Sequence, residues 1–413
     1  MKYKKNIIKK KSCRLCSNRN LTKLFNLCET PLANNLALNI TSSLKSKHFP
    51  LNLMFCKNCK HVQLEHVVNE KKLFRNYLYQ TGISDQFKKH FKNYAKEIKS
   101  DLNYNKGKIL EIGSNDCTLL DNFSDKFLTV GVEPATNLWK KTKHKHEIIN
   151  DFYNSRVNKY LVKKYKSFDV IIANNVFAHI DNLHKVFLLL KTLMNKTSIV
   201  IFEVSYLLDV IKRSLFDTIY HEHLDYHSIK PLKIFFNKLN LKIYNIKRTK
   251  MHGGSIRFYI IKKESKLKIK QENINKLLDN ERRNGLYKIS TYNNFYHNLE
   301  LQKVKLLNFF KKNKMHKIYG YGAPAKAVTL IKYFDLSEKD IKLIIDDSSL
   351  KQNKFIPGTK IKIYNSEILK SSPAEIIIIL AWNVYIDIIN KLKKSKTIKF
   401  AVVPLPKLKI IKL

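Results

Sequence analysis

Acidic side chains are scarce. The 413 residues carry 33 Asp+Glu against 78 Lys+Arg, a formal net charge of +45. Such an excess points first to nucleic acid or another anionic surface. The lysines are spread along the whole chain among abundant Asn and Ile, a pattern that drift toward A/T-rich codons produces equally well. The charge is thus weak support for a nucleic-acid partner, although it favours a phosphorylated small substrate. Long apolar runs are lacking too. No stretch approaches the roughly 18 apolar residues of a membrane span, and Ile376-Ile377-Ile378-Ile379-Leu380 reads as a buried strand. The basic start, Met1 to Lys11, is followed by no apolar segment, so no secretory signal is expected and the expected compartment is the cytoplasm. Cysteine is limited to Cys13, Cys16, Cys28, Cys56, Cys59 and Cys117. In a chain without an export signal, two close pairs read as metal ligands rather than disulfides. What is present, 44% hydrophobic residues over this length, is enough for two or three domains with real cores.

Cys13-x-x-Cys16 and Cys56-x-x-Cys59 each bring two thiolates to one side of a tight turn. Four thiolates suit a closed tetrahedral zinc site, and with no position left open the zinc is structural. The competing reading is four unrelated free thiols. The long insert between the pairs must fold back, and Arg14, Lys57 and Asn58 are placed to ease the thiolate charge. Cys28, without a partner at ligand spacing, reads as a small core residue. Residues 1–68 form this module. Phe74 to Ser84 is rich in Tyr, Thr and Ser, a candidate substrate lid whose Tyr77 and Tyr79 either face a ligand or pack on the core. Phe87, Phe91, Tyr94 and Ile98 then recur at helical spacing, which predicts an amphipathic helix from about Asp85 to Lys99.

Lys108 to Ile112 reads as a buried strand entering a tight turn at Gly113, with a helix from about Thr118. Glycine there lets a ligand approach the backbone. About twenty residues on, Glu133 ends the strand Leu128 to Val132, where an acid can hold both ribose hydroxyls of a nucleoside. Phe168 to Asn175 and Ser198 to Val204 are further strands, so residues 69–262 predict a parallel α/β sheet with ligands at the carboxyl ends of its strands. A dinucleotide site needs G-x-G-x-x-G around a pyrophosphate. This turn has one glycine and the carboxylates Glu111 and Asp116, which suit a cationic sulfonium. S-adenosylmethionine is therefore expected rather than NAD.

Phe216 to His223 is polar at most positions, and Tyr220, His221, Glu222 and His223 can each donate or accept a proton. A phenol, imidazoles and a carboxylate are the parts needed to pull a proton off carbon and hold the oxyanion; the bland reading is a polar loop with satisfied histidines. His221 should point away from its neighbours in an extended segment and reads as structural. His252-Gly253-Gly254-Ser255 breaks an apolar stretch, either as a substrate contact through His252 or as a turn before an edge strand over Ile256 to Ile261. Residues 263–314 read as one or two solvated connecting helices. Residues 315–413 open a second α/β unit at Gly320-Tyr321-Gly322-Ala323-Pro324-Ala325, with Asp346 after the strand Leu343 to Ile345.

In order along the chain stand the two CxxC pairs, Pro31-Leu32-Ala33-Asn34, the Tyr77/Tyr79 stretch, Leu110 to Asp116 and Gly131-Val132-Glu133-Pro134. Asn174-Asn175-Val176-Phe177-Ala178-His179-Ile180, the stretch through His223, His252 to Arg257 and Gly320 to Lys326 follow. Their order resembles that of the S-adenosylmethionine-dependent C-methyltransferases acting on nucleotide-linked 4-keto-deoxyhexoses. The resemblance implies a Rossmann-like α/β methyltransferase domain flanked by a small zinc-binding module and a second Rossmann-like domain. It points to His223 as the base that forms an enolate at C3, with Tyr220 donating to the enolate oxygen. Glu222 either orients the imidazole or holds a sugar hydroxyl. His179 lines the cleft, and Tyr79, more than Tyr77, matches the family's other active-site tyrosine. Glu111, Gly113, Asn115, Asp116, Glu133 and Asn174 would bind the cofactor. Asn175 and His252 would contact the sugar, and Lys326, Trp382 and Asn383 its nucleotide half, across the cleft. Cys117 departs from the family, which carries glycine there. The rival reading is an RNA methyltransferase using the zinc module and the basic surface.

Overall fold

The computed structural model describes residues 7–75, 77–101, 105–123, 125–142, 146–395 and 397–413. The first six residues of the basic start, and Asn76 in the tyrosine-rich stretch, lie outside the described residues. None of the described helices is long and apolar enough to cross a membrane.

Near the amino end the chain builds an antiparallel sheet. Its order is Asp225–Tyr226, Val62–Leu64, His48–Cys56, Leu21–Pro31. Alternation explains one face: Phe25 and Leu27 are buried while Asn26 between them is exposed. Cys28 packs half-buried against the core, as its isolation suggests, with φ 72° where the register with His48–Cys56 slips. The outermost strand of this sheet, Asp225–Tyr226, is borrowed from far along the chain.

The central sheet has seven strands, in the order Leu241–Thr249, Ser255–Lys262, Met194–Ser205, Phe168–Asn174, Gly107–Ile112, Phe127–Val132, Glu147–Ile149. The last five are parallel. Ser255–Lys262 runs antiparallel to both of its neighbours, which corrects the expectation of a wholly parallel sheet and of an edge strand at this place. Seven of its eight residues are buried, and a strand apolar on both faces needs cover on both sides. Gly107–Ile112 has the next strand on one side and Phe168–Asn174 on the other, so the order reverses there. Its carboxyl end opens on the crevice where α/β sheets bind ligands.

No α-helix begins at Thr118. A single 3₁₀ turn, Leu120–Asn122, takes its place. Asp116 Oδ1 accepts from Thr118 Oγ1 at 2.5 Å, and Asn122 Nδ2 donates to Thr118 O at 2.7 Å. The Asn122 side chain thus takes the Thr118 carbonyl that a helix would use, while Leu119, Leu120 and Phe123 bury themselves. The helix Asp85–Asp101 does form, with Phe87, Phe91, Tyr94, Ala95 and Ile98 buried.

Two helices, Gln271–Arg283 and Ile289–Lys312, fill the connecting segment. They are more than solvated spacers. Tyr292 and Phe295 pack, rings tilted, against Phe55 and Phe25, each at 5.6 Å, and the fully buried Glu281 accepts from Ile229 N at 2.9 Å. The final sheet runs Lys362–Tyr364, Leu343–Ile345, Ile318–Tyr321, Ile376–Ile379, Phe400–Val403, Lys409–Lys412, parallel except for the last strand. One hydrophobic core runs through residues of all three sheets.

Candidate active site

The segment 216–226 is held by three parts of the molecule. Phe216 is fully buried against Tyr333 and Phe334, with ring centroids 5.3 and 5.0 Å away. Leu224 N donates to Ala178 O at 2.7 Å, and Asp225–Tyr226 joins the N-terminal sheet. Between these anchors the chain reverses, with His223 N donating to Tyr220 O at 2.9 Å. Residues three apart therefore meet: the Tyr220 hydroxyl lies 2.9 Å from His223 Nε2. His223 Nδ1 lies 2.7 Å from Thr218 O. A carbonyl only accepts, so Nδ1 carries the proton and Nε2 presents its lone pair, to which Tyr220 donates. Burial, and then the neighbouring His179, hold the His223 imidazole well below its usual range, so it is neutral at physiological pH. His179 Nδ1 donates to Glu222 O at 2.6 Å, and its ring lies 5.0 Å from that of His223.

Glu222 is buried. Its Oε1 accepts from Asn34 Nδ2 at 2.7 Å, and its Oε2 faces the Tyr77 hydroxyl at 3.5 Å. Burial pushes the carboxyl up to about 7 against the pull of those two donors. The cluster therefore joins Tyr220, Glu222, His223 and His179 with Tyr77. Tyr79 packs one ring further out, 6.4 Å from Tyr77 and 6.1 Å from Phe87, with 37% of its surface exposed. His221 turns away, its Nε2 donating to Phe49 O at 3.2 Å. Asn34 is the residue that sequence reasoning passed over, although the Pro31-Leu32-Ala33-Asn34 motif was its signal.

At the carboxyl end of Gly107–Ile112, Gly113 has φ 69°, and a Cβ there would come within 2.5 Å of Val176 Cγ2. Glu133 accepts from Asn115 N at 2.7 Å and Ala135 N at 2.8 Å; burial pushes it up to about 7. Thr81 N and Gly82 N donate to Asn115 Oδ1 and Asp116 Oδ2, at 3.1 and 2.7 Å, so the tyrosine-rich segment is latched onto the glycine turn. Beside it Glu111 Oε2, Asn174 Oδ1 and Ser114 Oγ are buried without a partner in the protein. Unspent acceptors beside a glycine turn fit a ligand bringing an ammonium and hydroxyls, and the acids disfavour a pyrophosphate. S-adenosylmethionine fits these residues.

A third wall comes from the C-terminal unit. Lys326 Nζ donates to Asn383 Oδ1 at 2.9 Å and lies 3.4 Å from the Trp382 ring centroid. Burial lowers its ammonium to about 8, while Asp217 opposes the fall. Trp382 Nε1 donates to Asp217 Oδ2 at 2.6 Å. A Cβ at Gly253 would lie 2.8 Å from Trp382 Cη2, so the glycine turn and the indole share one wall. Asn175 Nδ2 donates to His252 Nε2 at 3.3 Å, and the His252 ring stacks 4.8 Å from Phe87.

The Sγ atoms of Cys13, Cys16, Cys56 and Cys59 all lie within 4.8 Å of one another, and the crosswise pairs Cys13–Cys59 and Cys16–Cys56 are 3.6 Å apart. A tetrahedron of Zn–S bonds about 2.3 Å long has edges of about 3.8 Å. The set fits zinc. Asn58 Nδ2 donates to Cys16 Sγ at 3.7 Å, as its position suggested. Arg14 does not face the thiols. Its buried guanidinium donates to Leu64 O at 2.8 Å, Leu224 O at 3.3 Å and Asp181 Oδ1 at 3.0 Å, because those acceptors lie behind the knuckle. Cys117 is buried, its thiol pushed up to about 12 by burial.

Comparison with known proteins agrees with this layout. Residues 13–74 match a zinc-binding domain family, residues 79–246 a methyltransferase domain family, and residues 250–406 the C-methyltransferase C-terminal domain family. C-methyltransferase NovU of Streptomyces niveus is 26% identical over 406 residues, 97% of this chain and 96% of its own. Among solved structures, an S-adenosylmethionine-dependent methyltransferase from Clostridium acetobutylicum superposes with a TM-score of 0.34 at 12% identity, covering 42% of this chain and 91% of that one. The PH0226 protein from Pyrococcus horikoshii gives 0.36 at 14% identity, covering 47% and 98%. At such scores these structures carry no weight here. The domain matches and the end-to-end likeness to NovU carry the conclusion: the chain is an S-adenosylmethionine-dependent C-methyltransferase with a zinc-binding N-terminal domain.

Proposed function

We propose that the enzyme methylates a nucleotide-linked 4-keto-deoxyhexose at C3, in branched-deoxysugar synthesis, with His223 as the base. The observation that carries this reading is the Tyr220–His223 pair. A neutral imidazole and a phenol stand 2.9 Å apart, matched to a C3 hydrogen and a C4 oxygen on adjacent ring atoms. As the ketone enters, the Tyr220 hydroxyl turns from Nε2 to the C4 oxygen. That frees the Nε2 lone pair to take the C3 proton, and the C–H electron pair becomes the enolate that Tyr220 stabilises. Bound S-adenosylmethionine supplies the electrophilic methyl. His179 holds the backbone of Glu222 beside the base, and Tyr77 and Tyr79 close the cleft from the lid side. Lys326, Trp382 and Asn383 offer a cation, a stacking face and an amide to the nucleotide half. Four reduced thiolates accord with the cytoplasm.

The test is labelled S-adenosylmethionine with a panel of nucleotide 4-keto sugars, followed by mass analysis. One sugar should gain a methyl at C3. His223→Asn should lower turnover by about 10²- to 10⁴-fold, the usual worth of a general base, while cofactor affinity holds. Near-normal turnover in that variant sinks the base assignment. Salt-sensitive methyl incorporation into RNA would favour the RNA rival instead.

A further inference from the structure

The N-terminal domain does more than fold around four thiols. It sends one side chain into the cleft. Asn34 lies just past the strand Leu21–Pro31 and meets Glu222 across 188 positions, Nδ2 to Oε1 at 2.7 Å. The carboxyl it touches is fully buried, and among the described residues no Lys, Arg or His side chain pairs with it. The titratable groups that face it are Tyr77 from the lid segment and Tyr220 from its own loop; His179 reaches only its backbone. Among the described residues Asn34 is therefore the closer of the two donors to this carboxyl, at 2.7 Å against 3.5 Å for the Tyr77 hydroxyl.

We propose that Asn34 is a positioning residue of the active site: its amide fixes Glu222 Oε1 and turns Oε2 toward Tyr77 and the reacting sugar. The inference rests on the sugar reading above only for what Oε2 meets. A neutral donor suits the task. A lysine or arginine there would neutralise the carboxylate and compete with the substrate for it, whereas an amide orients one oxygen and leaves the charge available. Donation to a carboxylate favours its charged form. Burial already pushes Glu222 up to about 7 with Asn34 in place, so its loss should move the carboxyl higher and leave Glu222 protonated at neutral pH. The zinc-binding domain then sets the charge state of the cleft through a residue just past the strand Leu21–Pro31, beside a loop nearly two hundred residues away.

The experiment uses the full-length zinc-loaded protein. Infrared titration of the buried carboxyl, assigned by difference against Glu222→Gln, reads Glu222 without any sugar, so it reports on Asn34 even where the sugar assignment fails. Asn34→Leu should shift that titration upward by about 1 to 2 pH units, the worth of one hydrogen bond to a charged group. With substrate, the acid limb of the kcat profile should move up equally, with the Michaelis constant for S-adenosylmethionine unchanged. Asn34→Gln, which keeps the amide, should recover part of both shifts. Zinc content and melting temperature identify a misfolded variant, in which case Asn34→Ala, which removes the donor without adding bulk, carries the test. A Glu222 titration that stays put in a folded variant lacking the Asn34 donor overturns the proposal, as does a shifted titration with an unmoved acid limb.

Discussion

The two α/β units open in the same way and finish differently. In each, a buried strand runs into a left-handed glycine: Gly113 at φ 69° and Gly322 at φ 85°. In each, a Cβ on that glycine would strike a neighbour at 2.5 Å, Val176 in one and Ala381 in the other. An acid follows the next strand in both, Glu133 and Asp346, and each caps backbone N–H groups. Glu133 takes Asn115 N and Ala135 N; Asp346 takes Ala323 N at 2.7 Å and Ser348 N at 2.9 Å. There the likeness stops. Asp346 also receives Lys351 Nζ at 3.1 Å, whereas no cation reaches Glu133 among the described residues. Around Gly113, three buried polar atoms stay unspent; from residue 315 onward, no described residue has one. The strand-glycine-acid geometry is thus a way of building a turn. What fits the central turn to a nucleoside is hydrogen-bonding capacity that the protein leaves unused.

The largest effect should come from outside both units. Cys56→Ser should release the metal and cost the N-terminal domain much of its stability, since bound structural zinc contributes about 10 kcal/mol or more in small zinc domains. Because Asp225–Tyr226 pairs with Val62–Leu64, hydrogen exchange should rise over residues 220–227. Both α/β sheets should keep their protection. Exchange rising equally in the two sheets would mean that they are not independent enough to compare.

Next comes Asp346→Ala, which strands two backbone donors and an ammonium. It should destabilise the protein by about 2–4 kcal/mol and leave S-adenosylmethionine affinity unchanged by calorimetry. The thermal shift with saturating cofactor should match that of wild type, because linkage depends only on affinity. A lost cofactor response would show that the C-terminal acid serves the ligand after all, and the contrast would break. Glu133→Gln sharpens it from the other side. The neutral side chain should weaken cofactor binding by about 10- to 100-fold, the worth of a charge-assisted hydrogen bond, and shrink the thermal shift accordingly. Its structural cost should be smaller, about 1–2 kcal/mol, since one backbone donor keeps its acceptor.

Much of this arrangement is legible in the sequence, and most of the illegible parts share one cause. Phe168–Asn174 and Ile376–Ile379 announce themselves as apolar runs buried on both faces. The four thiols declare a metal site by their spacing, and the Tyr220 to His223 stretch stands out as a run of proton donors and acceptors. Failures occur where a partner distant in sequence decides. Arg14 looks like a thiolate neighbour, yet it serves Leu64, Asp181 and Leu224. The resemblance favours Tyr79 over Tyr77, whereas the fold sets Tyr77 against Glu222 and Tyr79 against Phe87. The exception is local: at Thr118, where a helix is expected, the Asn122 side chain takes the backbone carbonyl, a competition that hydrophobic spacing does not register. Ser255–Lys262 reads as an edge strand until Leu241–Thr249 covers it.

The smallest effect is the most specific. Burial raises Glu133 to about 7, so the folded apo-protein holds this proton more tightly than the unfolded chain does. The Glu133 contribution to apo stability is therefore fully present below the usual carboxylate range and declines as pH rises toward 7. Cofactor affinity should run the other way, because a sulfonium ligand with ribose hydroxyls prefers the ionised acid. Between pH 6 and pH 8, affinity should rise by about 10-fold, the proton cost of crossing a pKa near 7. Subtracting the Glu133→Gln profile isolates this pair of opposed slopes from Glu111 and Glu222, which burial also raises. Asp346→Asn should leave both slopes as they are in wild type. An acid that only braces a turn has no reason to trade stability for affinity, so opposed slopes that vanish with Glu133 alone would mark the central unit as the cofactor site. Slopes that persist in Glu133→Gln would move the ribose role to another carboxyl, with Glu111 the next to be tested.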